Sequence, residues 1–162
     1  MDYFSESLVS GNAIGACPLR AHVDRRLTRF SAGATAGVLA VVLLIVDVAR
    51  PWGLGLLGSQ VAVFAFTAFV SFHWSLWARI YARFIWPRVG APTELEDARP
   101  HRFAQFIGFV ITALALTLFA VDVDVAGYGL TALACALTAL NASTGLCLGC
   151  KAYVLIRRTQ SA

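Results

Sequence analysis

Residues 141–153 read N-A-S-T-G-L-C-L-G-C-K-A-Y, with two cysteines three apart behind a glycine and ahead of a lysine. A C-x-x-C at the start of a helix sets its first thiol near the helix N-terminus, where the thiolate is stabilised. Gly145 is the kind of residue that ends a helix, so a short new helix beginning near Cys147 makes Cys147 the attacking thiol and Cys150 the resolving one. Lys151 follows closely enough to add positive field. The same pair suits disulfide exchange or acceptance of a persulfide sulfur. Two other readings of these residues stay open. Free cysteines pack as small apolar side chains, and they ligate metals, although structural zinc wants four ligands and Cys17, His22, His73 or His101 would have to be recruited.

A second group of chemistry-bearing residues lies in G-A-P-T-E-L-E-D-A-R-P-H-R-F-A-Q, residues 90–105, where Glu94, Glu96, Asp97, Arg99, His101 and Arg102 alternate in sign. This is either a solvated loop whose arginines anchor at lipid headgroups or a surface that docks a partner or holds a sulfur oxyanion. Arg99, Arg102 and Lys151 would supply the positive charge. Asn141, one to two turns before Cys147, is a polar residue in an apolar run. It bonds across helices or faces a functional interior. Cys135 reads as packing, and Cys17 as incidental.

The elements that position these groups follow from hydropathy. The chain has 162 residues, 59% hydrophobic and 14% charged, with a mean hydropathy of +0.72. Soluble domains are roughly 45–50% apolar and about 25% charged. Four apolar blocks, Phe30 to Val48, Gly53 to about Leu76, Phe103 to Val121 and about Ala126 to Leu146, are long enough to cross a bilayer, which takes about 20 residues as helix. Backbone groups in lipid must pair internally, so the blocks are helices and not strands. We expect an all-α integral membrane protein, a four-helix bundle arranged as two tandem hairpins, with short amphipathic helices in the interface at 73–88 and 151–158. Residues 1–29 read as a polar, partly disordered lead-in without a secretory signal, 30–158 as the membrane domain, and 159–162 as a tail.

Twelve of the thirteen Lys and Arg residues fall before the first block, between the second and third, or after the fourth, with Arg50 alone on the other side. The positive-inside rule then predicts cytoplasmic termini, a cytoplasmic middle loop and a cytoplasmic dithiol, in a multi-pass protein of the inner (plasma) membrane. The net charge of +4 is distributed between apolar blocks and not over one soluble face, which excludes a nucleic-acid module. There is no phosphate loop and no Ser-His-Asp set.

The chain also repeats itself. R-L-T-R-F at 26–30 and R-P-H-R-F at 99–103 each open an apolar block that ends in V-D-V. S-L-W-A-R-I-Y at 75–81 aligns with C-L-G-C-K-A-Y at 147–153, so Ser75 and Ala78 stand where the second half has Cys147 and Cys150.

P-T-E-L-E-D-A-R-P-H-R-F-A-Q and L-N-A-S-T-G-L-C-L-G-C-K-A-Y together resemble the signature of a family of four-helix bacterial membrane proteins, common in actinobacteria and classed as the domain of unknown function DUF4395. The resemblance covers about residues 22–158. It implies that Cys147 and Cys150 are the family's cysteines, that Glu94, Glu96, Asp97, Arg99, Arg102 and Gln105 are its loop residues, and that thioredoxin-like and rhodanese-type proteins are partners. Lys151 departs from the pattern, which has an acidic residue there. The expectation is a membrane thiol–disulfide or sulfur-relay protein. The alternatives are a non-enzymatic anchor or scaffold for a soluble partner and a small sulfur-compound transporter acting as a homo-oligomer. No bound cofactor is implied; a metal or a quinone stays open.

Overall fold

The computed structural model describes residues 22–70, 76–89 and 95–160. The described chain runs β1 (His22–Asp24), α1 (Arg25–Ile45), α2 (Arg50–Phe69), α3 (Leu76–Phe84), α4 (Trp86–Val89), β2 (Leu95–Asp97), α5 (Ala98–Ala120), α6 (Asp124–Thr144) and α7 (Leu148–Gln160). Helices α1, α2, α5 and α6 are long and apolar enough to cross a membrane, and the chain is a multi-pass membrane protein of four-helix architecture. Cys17, His73, Ser75 and Glu94 lie outside the described residues, as does most of the lead-in.

Each long helix has a local reason to start or stop where it does. Asp24 accepts a hydrogen bond from the Arg26 N–H at 2.8 Å and caps α1, so the helix begins before its apolar block. Pro51 sits in the first turn of α2, where its missing N–H costs nothing. Gly145, with φ +72°, closes α6.

Polar side chains turn inward while large apolar ones turn outward, the reverse of a soluble bundle. Ser31, Thr35, Gln60, Thr67, Thr112 and Thr131 are buried, whereas Leu44, Phe69, Leu114 and Val125 are exposed on the flanks. This is the distribution expected when the surroundings are lipid and association rests on packing and interhelical hydrogen bonds. A dense apolar core of Leu39, Val42, Val46, Leu57, Ala115, Phe119 and Ala134 fills the half of the bundle nearer Arg50.

The two hairpins pack as near equivalents. The largest interfaces are α1 with α6 and α2 with α5, first helix of one hairpin against second helix of the other. Asp24, Arg26, Arg29 and Phe30 recur as Asp97, Arg99, Arg102 and Phe103. Phe30 meets Tyr81 at 5.7 Å between ring centroids and 50°, and Phe103 meets Tyr153 at 5.6 Å and 49°. Arginines repeat the relation. Arg29 Nε and Nη2 donate to the Ala142 and Ser143 carbonyls at the end of α6, at 3.1 and 2.8 Å. Arg102 Nε and Nη2 donate to the Ala68 carbonyl near the end of α2, at 3.1 and 2.9 Å. At the opposite end Arg50 donates to the Phe119 carbonyl at 2.6 Å and pairs with Asp122 and Asp124. Each guanidinium satisfies carbonyls that a helix end leaves orphaned and neutralises the negative pole of the dipole.

Two features depart from the expectations. A two-stranded antiparallel ribbon joins β1 to β2, with His22 opposite Asp97, Val23 opposite Glu96 and Asp24 opposite Leu95. It falls in segments read as lead-in and loop, because three-residue strands carry no alternation to detect. Its central pair relates the same two repeat positions. Tyr81, in the segment read as an interfacial helix, is buried with Val23, Leu27 and Ala78 under the ribbon, and Trp77 also turns inward.

The arginine clasps predict a stability ranking. Replacing Arg102 with Gln is expected to destabilise the bundle by about 1.5–3 kcal/mol, the range for hydrogen bonds to a charged group. Arg29→Gln, whose contacts are exposed, should cost less. Thermal unfolding in detergent checks this, and an Arg102→Gln melting temperature equal to the parent's would refute the clasp.

Candidate functional site

The left-handed residue at Gly145 turns the chain at the end of α6, its N–H bonding the Asn141 carbonyl at 2.9 Å. Only glycine takes this conformation without a Cβ penalty. Three residues on, α7 begins with Leu148, and Cys147 occupies its N-cap. The Cys147 Sγ accepts the Cys150 N–H at 3.3 Å, and the Cys147 carbonyl accepts the Lys151 N–H at 3.1 Å. A thiol thus stands where Ser or Asp usually stands, aimed at the positive end of a helix.

His101 completes the site. It lies in the first turn of α5, 6% exposed, with Nδ1 at 4.0 Å from Cys150 Sγ. The ligating atoms of His101, Cys147 and Cys150 all fall within 4.8 Å of one another. Contact between α7 and α5 holds them there: a Cβ on Gly149 would come within 2.7 Å of the Ala104 Cβ and 2.9 Å of its Cα. Gly149 therefore lets α7 seat on α5 one turn beyond His101. Both thiols are half-buried.

These contacts hold the Cys147 thiol well below its ordinary value of 9.0, down to about 4. The hydrogen bond from the Cys150 thiol contributes most. Burial opposes it, and the His101 hydrogen bond, the Cys150 N–H and the His101 charge add to the lowering. Of the two thiols, Cys147 is the one whose surroundings favour the thiolate. The three side chains are close enough to close on one soft metal ion, but no fourth His, Cys, Asp or Glu joins them among the described residues, one ligand short of a structural zinc site.

Beneath the thiols a cavity of about 90 Å³ runs into the bundle. His101, Cys147, Gln105, Asn141, Thr67 and Trp77 line it, with Ser31, Thr35 and Thr138 and an apolar floor reaching Ile111 and Ala134. Gln105 Oε1 accepts from the Thr67 hydroxyl at 3.2 Å, joining α5 to α2.

The residues singled out from sequence divide accordingly. Cys147 and Cys150 meet, and Asn141 and Gln105 face the cavity behind them. Lys151 is exposed beside Cys150 in a groove with Pro100. Arg99 is exposed at the start of α5. Arg102 is engaged in closing α2. Glu96 and Asp97 belong to β2 by backbone, and their side chains, like Glu94, lie outside the described residues. His101 was visible only as a loop residue and conditional ligand. Its signal lay in the repeat: His101 replaces Thr28 of the first half, as Cys147 and Cys150 replace Ser75 and Ala78.

The model of one family, described as a domain of unknown function (DUF4395), matches residues 23–158. No curated protein and no solved structure matches the chain.

Two measurements test the site. Above its pKa a thiol is the reactive anion, so alkylation of Cys147 in a Cys135→Ala, Cys17→Ala background should stay level from about pH 8 to about pH 5 and fall only toward a midpoint near 4. His101→Leu removes two of the lowering contacts and should move that midpoint upward; a midpoint near the ordinary thiol value in the parent would contradict the geometry. Gly149→Ala should also raise the midpoint by lifting α7 off the Ala104 backbone and Cβ. An unchanged midpoint would show that the helix contact does not set the site.

Proposed function

The chain belongs to the DUF4395 family, and from the site in its second hairpin we propose that it is a membrane thiol–disulfide or sulfur-relay protein. The observation that carries this reading is the Cys147 sulfur, which caps α7 within reach of both Cys150 and His101. A helix-capping thiolate with a resolving thiol one turn away is the equipment disulfide exchange requires.

In this reading the Cys147 thiolate attacks one sulfur of a partner disulfide, forming a mixed disulfide and releasing the partner's other sulfur as a thiolate. Cys150 loses its proton toward His101 and attacks Cys147 Sγ. The Cys147–Cys150 disulfide forms and the second partner sulfur departs as thiolate. With a sulfane-sulfur donor the first step gives a Cys147 persulfide, and attack by Cys150 releases the outer sulfur as sulfide. The partner is a soluble thioredoxin-like or rhodanese-type protein, and exposed Lys151 beside Cys150 suits an acidic docking face.

The reading also gives the molecule a direction. Arg29, Arg102 and Lys151 share the thiol end of the bundle and Arg50 the other. By the positive-inside rule the thiol end faces the cytoplasm and the protein lies in the plasma membrane.

Trapping tests it. Cys150→Ser protein mixed with an oxidised thioredoxin-like protein should accumulate a reductant-sensitive adduct on Cys147, or a persulfide with a sulfur-loaded rhodanese. Cys147→Ser should give neither. If Cys150→Ser forms no adduct with either partner while a small aromatic disulfide labels Cys147 fully, the relay is wrong and the thiols serve another purpose.

A further inference from the structure

The cavity under the thiols has a donor pattern that selects an occupant. Among the described residues lining it there is no Lys, Arg, Asp or Glu, and His101 and Cys147 are its titratable groups. An oxyanion would face a thiolate with one imidazole to offset it, in surroundings where an uncompensated charge is costly. A neutral molecule fits better. Most hydroxyls are already committed: Ser31 donates to the Thr28 carbonyl and Thr138 to the Ala134 carbonyl, at 2.9 and 2.8 Å, and Thr67 donates to Gln105 Oε1 at 3.2 Å. The amides remain. The Asn141 side chain makes no hydrogen bond among the described residues, and Gln105 engages only its Oε1, leaving its NH₂ to donate. The Trp77 indole N–H is buried without an acceptor among the described residues. The chamber thus offers N–H donors around an apolar floor, next to a dithiol, in the membrane half of the molecule.

We propose that this cavity takes the ring of a lipid-soluble quinone, held through its carbonyl oxygens by Asn141 and Gln105, as the two-electron acceptor for the Cys147–Cys150 dithiol. The proposal rests on the dithiol reading above. Its volume of about 90 Å³ is too small for a flavin or a nucleotide. The step balances. The Cys147 thiolate and the Cys150 thiol form one S–S bond, releasing two electrons and the Cys150 proton. The quinone takes both electrons, that proton and one more from solvent, and leaves as the quinol. His101, in reach of Cys150, is placed to carry the first proton. The consequence for function is a direction of flow: the exchange described above runs in reverse, a reduced soluble partner reducing the Cys147–Cys150 disulfide and the dithiol passing those electrons to the membrane pool.

The full chain, reduced and reconstituted in nanodiscs, can be mixed with decylubiquinone, whose ring carries no open position for thiol addition. The Cys147–Cys150 disulfide is then followed by mass after alkylation, with 2,2′-dithiodipyridine as a parallel oxidant that needs no cavity. Quinone should oxidise the pair in the parent. In Asn141→Leu and in Gln105→Leu, the ratio of quinone to dithiodipyridine rates should fall about tenfold, as expected for a lost hydrogen bond in a desolvated site. If dithiodipyridine closes the disulfide and quinone does not, or if both leucine variants keep the parental ratio, the quinone site is refuted and the dithiol reading stands. If neither oxidant forms the Cys147–Cys150 disulfide, both fall together.

Discussion

Everything distinctive about this molecule depends on the left-handed turn at Gly145. Had α6 continued unbroken, Cys147 and Cys150 would be interior helix residues, each three residues apart along one stripe and each with its backbone N–H consumed by the helix. The turn ends α6 at Thr144 and starts α7 at Leu148, so Cys147 becomes a cap whose sulfur accepts a backbone N–H. A Cβ at Gly145 would be strained by its φ of +72° and would also lie 3.3 Å from the Arg25 guanidinium. A second glycine then fixes the distance to the third group. With Gly149 against Ala104, α7 approaches α5 closely enough for Cys150 to reach His101.

The near-twofold frame explains why such a site can be carried by one hairpin at little structural cost. Arg29 and Arg102, Phe30 with Tyr81 and Phe103 with Tyr153, and the two strands of the ribbon do the same mechanical task in each half. With the frame supplied twice, the positions at 28, 75 and 78 and their counterparts at 101, 147 and 150 are released from it. In the first half the described members of this set are apolar or self-satisfied: Ala78 is buried in a small core and Thr28 bonds the Arg25 carbonyl at 2.8 Å. In the second half the same places hold an imidazole and two thiols. Packing does not require that change, since the first half packs without it.

The parts legible in sequence were those governed by local rules. Four apolar runs gave four helices, with boundaries displaced because caps lie outside the apolar blocks: Asp24 caps α1, which starts at Arg25, five residues before Phe30, and Gly145 ends α6 before Leu146. The helix break before Cys147 was legible because a glycine there has a specific conformational use. What stayed hidden depends on long-range geometry. Arg102 looked like an anion ligand and is spent on the carbonyls of a helix 34 residues earlier. His101 sat among charges that resembled a solvated loop, and only the fold reveals that this segment is the first turn of α5 facing α7. The ribbon and the cavity are likewise products of pairing between segments that share no local pattern.

The distribution of polarity along the bundle also bears on what the cavity can serve. Near the thiol end the interior is hydroxyl- and amide-lined. Toward the Arg50 end it gives way to Leu39, Val42, Leu57, Ala115 and Phe119, all at 1% exposure or less. Interiors packed to this degree leave no chain of voids for a solute, and the Arg50 pairing with Asp122 and Asp124 closes that end further. A transport route through one copy would need this core to separate, breaking contacts that hold α1, α2, α5 and α6 together. A chamber lined by Cys147, with Ile111 and Ala134 in its apolar floor, accords instead with the proposed reading, in which the chemistry is done at the Cys147 sulfur.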